Sequence, residues 1–272
     1  MTVPLSPPSR IGFVGLGSQG GPMARRMVEA GYGLTLWARR PRALEPFRDT
    51  STEYAASIAE LGARADHVGV CVVDDAGVRE VCAELIPAMR AGGRIVIHST
   101  VHPRTCIDLA ATASAHGLAL IDAPVSGGGL GAAAGTLTVM VGGEEGAVAA
   151  ARPIFATFAN LIVHLGGVGA GQSAKLVNNA LMATHLALGW HALETGTALG
   201  IDRAALTELV KVSSGRSYGF EVAARLPRPN AFAHGARLLA KDVRLLGEVL
   251  GAGPDAEVFD QVARRFLERA LQ

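Results

Sequence analysis

The stretch Ile11-Gly-Phe-Val-Gly-Leu-Gly-Ser-Gln-Gly-Gly-Pro-Met-Ala24 contains the pattern that decides the fold. Its first four residues form a short apolar run typical of a buried strand, and helical spacing begins at Pro22. Between them lies a GxGxxG pattern, Gly15-Leu16-Gly17-Ser18-Gln19-Gly20. Gly15 permits a tight turn, Gly17 lets a pyrophosphate approach the backbone, and Gly20 allows the helix to pack closely on the strand. Because a helix N-terminus attracts anions, these residues predict a dinucleotide site.

Strand and helix patterns alternate over the first half of the chain. Short apolar runs predict strands at 11–14, 34–38, 68–73, 94–98, 118–121, 136–141 and 161–165. Strands that alternate with helices imply a parallel sheet covered on both faces. From about Gly169 only helical patterns follow, beginning with 173–199, and Asp202 and Asp255 are predicted N-caps. The sequence therefore predicts an α/β Rossmann domain over residues 1–168 and an all-helical domain over residues 169–272.

The composition excludes several classes of protein. Lys and Arg number 25 against 24 Asp and Glu, so no charge excess is available to hold nucleic acid or an anionic membrane. A hydrophobic fraction of 49% with 18% charged residues excludes disorder. The most apolar segment, 176–193, is interrupted by asparagines and histidines, and the opening MTVPLSPPSR lacks the apolar core of a signal peptide. With three cysteines and no CxxC pair, we expect a soluble cytoplasmic protein.

The end of the second predicted strand indicates which nicotinamide cofactor is used. An NAD site usually has an acidic residue about 20 positions after the glycine loop, where it binds the ribose 2′-OH. Here the strand ends Trp37-Ala38-Arg39-Arg40-Pro41, and residues 30–44 contain no Asp or Glu. Guanidinium groups bind a 2′-phosphate, so Arg39 and Arg40 favour NADP. NAD stays possible, because both arginines also fit a solvated surface.

Two further segments carry polar groups where a ligand could bind. Lys175 and Asn179 share one stripe of an otherwise apolar predicted helix, with Asn178 beside them, and burying such groups without partners is costly. After another strand, Ser126-Gly127-Gly128 leaves backbone N–H groups open to a substrate carboxylate, and the Ser126 hydroxyl adds a donor. No histidine or cysteine cluster has the spacing of a metal site, so no metal is predicted.

Four motifs together resemble the β-hydroxyacid dehydrogenase family, which includes 3-hydroxyisobutyrate dehydrogenase and several semialdehyde reductases. They are residues 12–24, Asp-Ala-Pro-Val-Ser-Gly-Gly at 122–128 with its continuation to 143, Gly-Ala-Gly-Gln-Ser-Ala-Lys-Leu-Val-Asn-Asn at 169–179, and Lys241-Asp242. The resemblance implies a Rossmann domain, a long interdomain helix and a helical domain that contributes to a homodimer or tetramer. It also implies a small substrate that bears a carboxylate.

The resemblance also implies roles for individual residues. Lys175 becomes the catalytic residue that passes a proton to or from the substrate oxygen, and Asn179 orients Lys175 or the substrate. Asp122 is expected to be structural. Besides the glycine loop and the two arginines, the residues that match cofactor contacts in the family are Val72, Val73, Gly77, Thr100 and Lys241.

These observations predict an NADP-dependent oxidoreductase that transfers hydride between the nicotinamide and a small β-hydroxy acid or semialdehyde. Oxidative decarboxylation is disfavoured, because Met182 occupies the position where 6-phosphogluconate dehydrogenase carries a second acid. Imine reductases share the fold but usually replace the lysine. A cofactor-binding sensor or scaffold without turnover is a third alternative, although a sensor has no need of Lys175 beside the nicotinamide.

Overall fold

The structure, a computed structural model, describes residues 10–251 and 253–272. Residues 1–9, which contain most of the opening segment judged not to be a signal peptide, lie outside this range. The chain divides into two compact units, the first ending at Lys175 and the second beginning at Leu176. The first unit contains the strands β1 Arg10–Val14, β2 Gly33–Trp37, β3 Glu53–Tyr54, β4 His67–Val70, β5 Arg94–Ile97, β6 Ala119–Asp122, β7 Val125–Ser126, β8 Leu137–Gly142 and β9 Ala159–Gly166.

The strands of the first unit form one sheet in the order β3-β2-β1-β4-β5-β6-β8-β7, and β9 pairs with β8. All neighbours from β3 to β6 are parallel, which agrees with the predicted Rossmann sheet. The prediction of a wholly parallel sheet is wrong at β8, which runs antiparallel to β6 and β7. Parallel strands need a long crossover, and the short connections of β7 to its neighbours do not provide one.

Helices cover both faces of this sheet because its buried strands are apolar on both sides. They are α1 Gly20–Glu29, α2 Ile58–Arg64, α3 Asp75–Ala88, α4 Pro103–Ala115, α5 Gly128–Ala134 and α6 Glu145–Phe155, with a 3-10 helix at Pro41–Phe47. In β1, Ile11 and Phe13 pack into the core on one face, whereas Val14 belongs to the core on the other. A Cβ atom at Gly12 would lie 2.5 Å from Leu61 Cδ2, so glycine at this strand position leaves room for the Leu61 side chain of α2.

The second unit consists of helices around a separate apolar core that includes Leu176, Leu186, Trp190 and Phe266. The long helix α7, Ala170–Ala198, begins in the first unit and continues into the second, where it is followed by α8 Arg203–Val212, α9 Tyr218–Arg225, α10 Ala233–Leu250 and α11 Pro254–Leu271, with a 3-10 helix at Pro229–Phe232. Asp202 is confirmed as an N-cap, because its side chain accepts a hydrogen bond from Ala205 N. The cap predicted at Asp255 is wrong, since α11 already begins at Pro254 after Gly253.

None of the helices in the described part of the chain combines the length and apolarity that crossing a bilayer requires. The predicted fold class, a Rossmann sheet followed by an all-helical region, is confirmed. The division at residues 168 and 169, and the roles given to the two halves, stay predictions.

Candidate active site

The glycine loop has the geometry that the sequence predicts for a pyrophosphate site. Gly15 has a φ of 96°, and a Cβ there would lie 2.1 Å from the carbonyl oxygen of Cys71. A Cβ at Gly20 would lie 2.0 Å from the carbonyl oxygen of Gly15, so both glycines are required by packing. Gly17 differs, because among the described residues no atom other than those of its chain neighbours lies within 4 Å of a Cβ placed there. The α1 N-terminus receives no side-chain cap, so this open space and the helix end fit an anionic pyrophosphate.

The two arginines predicted to select NADP lie after β2 and are exposed to solvent. Arg39 Nη2 lies 2.8 Å from Glu80 Oε2, a carboxylate on α3. Arg39 therefore already has an acidic partner in this unit. Since both side chains of this ion pair are exposed, the pair contributes at most about 1 kcal/mol.

The loop after β4 contains the predicted cofactor contacts Val72, Val73 and Gly77. Val72 N donates a hydrogen bond of 2.8 Å to Ser99 Oγ. Val73 is exposed. Gly77 N donates to Asp74 Oδ1 over 2.9 Å, so Asp74 caps α3 and fixes the end of this loop.

The loop after β5 contains Thr100, another predicted cofactor contact. The residues on either side of Thr100 bind the amide of Gln172: Gln172 Nε2 donates to Ser99 O over 2.8 Å, and Val101 N donates to Gln172 Oε1 over 3.1 Å. Gln172 is fully buried. Sequence reasoning missed both Ser99 and Gln172 as parts of the site.

Asp122 ends β6 and holds the first turn of α7. Its carboxylate accepts hydrogen bonds of 2.7 Å from Gly169 N and from Gln172 N. Burial raises the pKa of Asp122 to about 6, although these backbone hydrogen bonds act in the opposite direction. Gly171 gives the carboxylate room, because a Cβ there would lie 2.9 Å from Asp122 Oδ2. These contacts agree with the structural role expected for this residue.

The predicted substrate loop lies next to the glycine loop in the first unit. Ser126 ends β7, and Gly127 and Gly128 have φ values of 127° and 65°, which favour glycine. Gly128 begins α5, which sequence reasoning missed because three of its seven residues are glycine. A Cβ at Gly129 would lie 2.5 Å from Ser18 O, so α5 packs directly on the glycine loop.

Lys175 lies on the last turn of α7 that belongs to the first unit, and its side chain is buried, with 8% exposure. It follows Gln172 by three residues, so it lies about one helical turn beyond the anchored start of α7. A buried lysine is rare and points to a functional group.

In the second unit, the predicted residues Asn179 and Lys241 both contact Asp242. Asn179 Nδ2 donates to Asp242 Oδ2 over 2.5 Å, and Lys241 Nζ lies 3.0 Å from Asp242 Oδ1. Asn178 Nδ2 donates to Asn179 Oδ1 over 3.1 Å. Asp242 is buried and was quoted only as part of a motif, so its place at the centre of this polar group is new information from the structure.

Comparisons with known proteins identify two matching family models. The NAD binding domain of 6-phosphogluconate dehydrogenase matches residues 10–166, and the NAD-binding model of NADP-dependent 3-hydroxyisobutyrate dehydrogenase matches residues 169–270. The NAD-dependent L-serine dehydrogenase of Pseudomonas aeruginosa is 34% identical over 273 residues, covering 93% of this chain and 89% of that protein. The human mitochondrial 3-hydroxyisobutyrate dehydrogenase is 32% identical over 247 residues, covering 86% and 74% respectively.

A solved structure of Mycobacterium tuberculosis 3-hydroxyisobutyrate dehydrogenase with L-serine has a TM-score of 0.85 at 28% identity, covering 97% of this chain and 95% of that one. The Rossmann sheet, its glycine loop and the matching models define an NAD(P)-dependent oxidoreductase that acts on CH–OH groups. More particularly, the chain belongs to the β-hydroxyacid dehydrogenase family and has hydroxyacid dehydrogenase activity.

Proposed function

We propose that this enzyme interconverts a small β-hydroxy acid and its semialdehyde with NADP(H), and that Lys175 moves the proton. The observation that carries the proposal is a buried lysine one turn beyond a helix start that Asp122 and Gln172 anchor to the Rossmann unit. A bound nicotinamide accepts or supplies the hydride. The residues of this chain hold the substrate and transfer a proton to or from its oxygen.

Lys175 completes the proton balance of the reaction. In the direction of reduction, hydride adds to the carbonyl carbon and the Lys175 ammonium gives a proton to the carbonyl oxygen. In the direction of oxidation, neutral Lys175 removes the hydroxyl proton as hydride leaves the same carbon. A positive charge at Lys175 also stabilises the alkoxide that develops on the oxygen.

Ser126, Gly127 and Gly128 are proposed to bind the substrate carboxylate through the Ser126 hydroxyl and backbone N–H groups. The short β7 strand and the left-handed glycines hold this loop against the glycine loop, which supports a substrate beside the cofactor. Asn179, held by the buried Asp242, is proposed to orient Lys175 or the substrate.

The remaining predicted cofactor contacts, Val72, Val73, Gly77, Thr100 and Lys241, are proposed to bind NADP together with the residues of the glycine loop. Arg39 and Arg40 support NADP over NAD, because no acidic residue lies between positions 30 and 44 to bind a ribose 2′-OH. NAD is the alternative, since Glu80 lies beside Arg39 and one relative is an NAD-dependent L-serine dehydrogenase.

A substrate and cofactor screen tests this function. The full chain is assayed at 340 nm with NADPH and with NADH against C2 to C5 semialdehydes, and in the reverse direction with L-serine and 3-hydroxyisobutyrate, which the names of relatives suggest. Simple aldehydes of equal length without a carboxylate are the matched controls. We expect turnover with the carboxylate-bearing substrates and a higher kcat/KM with NADPH. Equal turnover of the control aldehydes would contradict the proposed carboxylate site.

A further inference from the structure

The side-chain amide of Gln172 clamps the backbone on both sides of Thr100. Its Nε2 group donates to Ser99 O over 2.8 Å, and its Oε1 atom accepts from Val101 N over 3.1 Å. A backbone carbonyl needs a donor and a backbone N–H needs an acceptor, so these partners fix the orientation of the amide. The side-chain amides of Asn and Gln carry both functions on one planar group at any pH, and Gln172 has the longer reach.

The clamp is one part of a continuous network in the first unit. Ser99 Oγ accepts a hydrogen bond from Val72 N, which ties the loop after β4 to the loop after β5. Gln172 N donates to Asp122, whose other oxygen accepts from Gly169 N. Two loops that carry predicted cofactor contacts are thus joined to the first turn of α7.

Lys175 follows Gln172 on the same helix by three residues, about 4.5 Å along its axis. Because Gln172 binds the segment around Thr100 directly, it determines the distance between Thr100 and the helix turn that presents Lys175. Thr100, Gln172 and Lys175 all belong to the first unit.

We infer that Gln172 is a positioning residue of the reaction. It fixes the position of Lys175 relative to Thr100 in the loop after β5. The inference rests on the proposed function, in which Lys175 transfers the proton and Thr100 contacts the cofactor. A residue that only stabilises the fold would affect the free energy of unfolding when replaced. A positioning residue also affects the chemical step, because small misplacements of reacting groups are costly.

The first test replaces Gln172 by leucine, which removes both hydrogen bonds to the Thr100 segment at similar volume. We expect kcat to fall about 10²-fold while the KM for NADPH changes little. With NADPH deuterated at the transferred position, the isotope effect on kcat is expected to rise because hydride transfer becomes the slow step. Ser57→Ala is the matched control, since it removes the side-chain cap of α2 in the same unit. It should lower Tm and leave kcat and the isotope effect unchanged.

The second test uses Gln172→Glu, which keeps the shape and makes the clamp sensitive to pH. A protonated carboxyl group still donates to Ser99 O, whereas a carboxylate places an oxygen against that carbonyl. The ratio of variant to wild-type kcat should therefore fall as pH rises from 5 to 8. The wild-type profile is the baseline, because the Asp122 carboxylate accepts a hydrogen bond from the backbone N–H of Gln172 and the buried thiol of Cys106 interacts with the Gln172 side chain.

Three outcomes distinguish the inference from the function on which it rests. Wild-type kcat and isotope effect in Gln172→Leu, beside an inactive Lys175→Ala enzyme, would overturn the inference alone. A kcat ratio for Gln172→Glu that does not depend on pH would also overturn it, and this measurement decides the matter if Gln172→Leu does not fold. Full turnover in Lys175→Ala would overturn the proposed function and the inference with it.

Discussion

Arg39 lies 2.8 Å from the Glu80 carboxylate. The 2′-phosphate proposed for the cofactor would compete with Glu80 for the Arg39 guanidinium. We predict that Arg39→Asp combined with Arg40→Ala weakens NADPH far more than NADH. Charge-assisted hydrogen bonds contribute about 1.5–3 kcal/mol, so the KM for NADPH should rise roughly 10- to 150-fold. Steady-state kinetics with both cofactors measure this.

Arg48→Ala is the control for the cofactor variants, because Arg48 is also an exposed arginine of the first unit. It should leave both KM values unchanged. Equal losses for NADPH and NADH in the double variant would mean that Arg39 and Arg40 support only the local fold.

His67 is buried on β4, and among the described residues neither ring nitrogen has a hydrogen-bond partner. Burial lowers its pKa to about 3, whereas an unfolded histidine titrates near about 6.5. Between about pH 3 and pH 6.5 the unfolded chain therefore binds a proton at His67 that the folded chain does not bind. The contribution of neutral His67 to stability is fully present above about pH 6.5 and is lost as pH falls. We predict that His67→Leu reduces the slope of unfolding free energy against pH by about 1.4 kcal/mol per unit.

Denaturant titrations between pH 4 and 6.5 measure this slope. Asp122 acts in the opposite direction, since its raised pKa of about 6 makes the folded state bind its proton first as pH falls. Both proteins retain Asp122, so its contribution cancels in the comparison. Leu61→Ala, a core variant of the same unit, should lower stability without changing the slope. An unchanged slope in His67→Leu would contradict the prediction.

At the scale of single residues, the sequence identified groups whose role depends on local pattern. Gly15 and Gly20 were predicted because a turn and a helix start impose fixed spacing. Ser99 and Gln172 were not predicted. The Gln172 amide makes its two hydrogen bonds to residues that lie 71 and 73 positions away along the chain. Such contacts between side chain and backbone leave no periodic signal in the sequence.

Among the secondary-structure elements, the sequence predicts that α7 begins at Ser173, but the helix begins at Ala170. Its first turn is bound by Asp122, which lies at the end of β6. Helix α5 was missed because Gly128, Gly129 and Gly131 have low helix propensity. Its packing on the glycine loop compensates, and that packing depends on the absence of a side chain at Gly129.

We therefore predict that Gly129→Ala displaces α5 or the glycine loop, because the added Cβ would lie 2.5 Å from Ser18 O. Overpacking of this kind costs about 1–3 kcal/mol, so Tm should fall and the Kd for NADPH should rise. Thermal unfolding and nicotinamide fluorescence measure the two effects.

Gly247→Ala on α10 is the matched control for Gly129→Ala. Apart from its chain neighbours and the adjacent helix backbone, no atom in the described part of the chain lies within 4 Å of a Cβ at this position, and alanine favours a helix more than glycine does. It should raise Tm slightly and leave NADPH binding unchanged. Unaltered NADPH affinity in Gly129→Ala would show that α5 does not support the loop.

For the whole molecule, the order of fold classes along the chain was predictable because the hydrophobic period changes near residue 169. The antiparallel direction of β8 was not predictable, since an apolar run does not encode strand direction. In the second unit, Val177, Leu181 and Leu188 of α7 are each about half exposed, so the described residues leave an apolar side of this helix uncovered.

We predict that a second copy of the chain covers this side of α7 to form a homodimer. Two-fold interfaces are the commonest solution for such a surface. Light scattering at micromolar concentration should give a mass near twice 28.0 kDa, or a multiple of the dimer. Leu181→Glu with Leu188→Glu should shift the mass toward the monomer, whereas Leu130→Glu, at an exposed leucine of the first unit, should not. A wild-type mass near 28.0 kDa would contradict the dimer.

Proton transfer by Lys175 is tested most directly by the Lys175→Ala variant, with turnover and NADPH binding measured on the same preparation. We predict that kcat falls roughly 10²- to 10⁴-fold while the Kd for NADPH stays near the wild-type value. Lys211→Ala, which removes a partly exposed lysine that pairs with Glu208 in the second unit, should leave both unchanged. Wild-type kcat in a folded Lys175→Ala enzyme would contradict the claim.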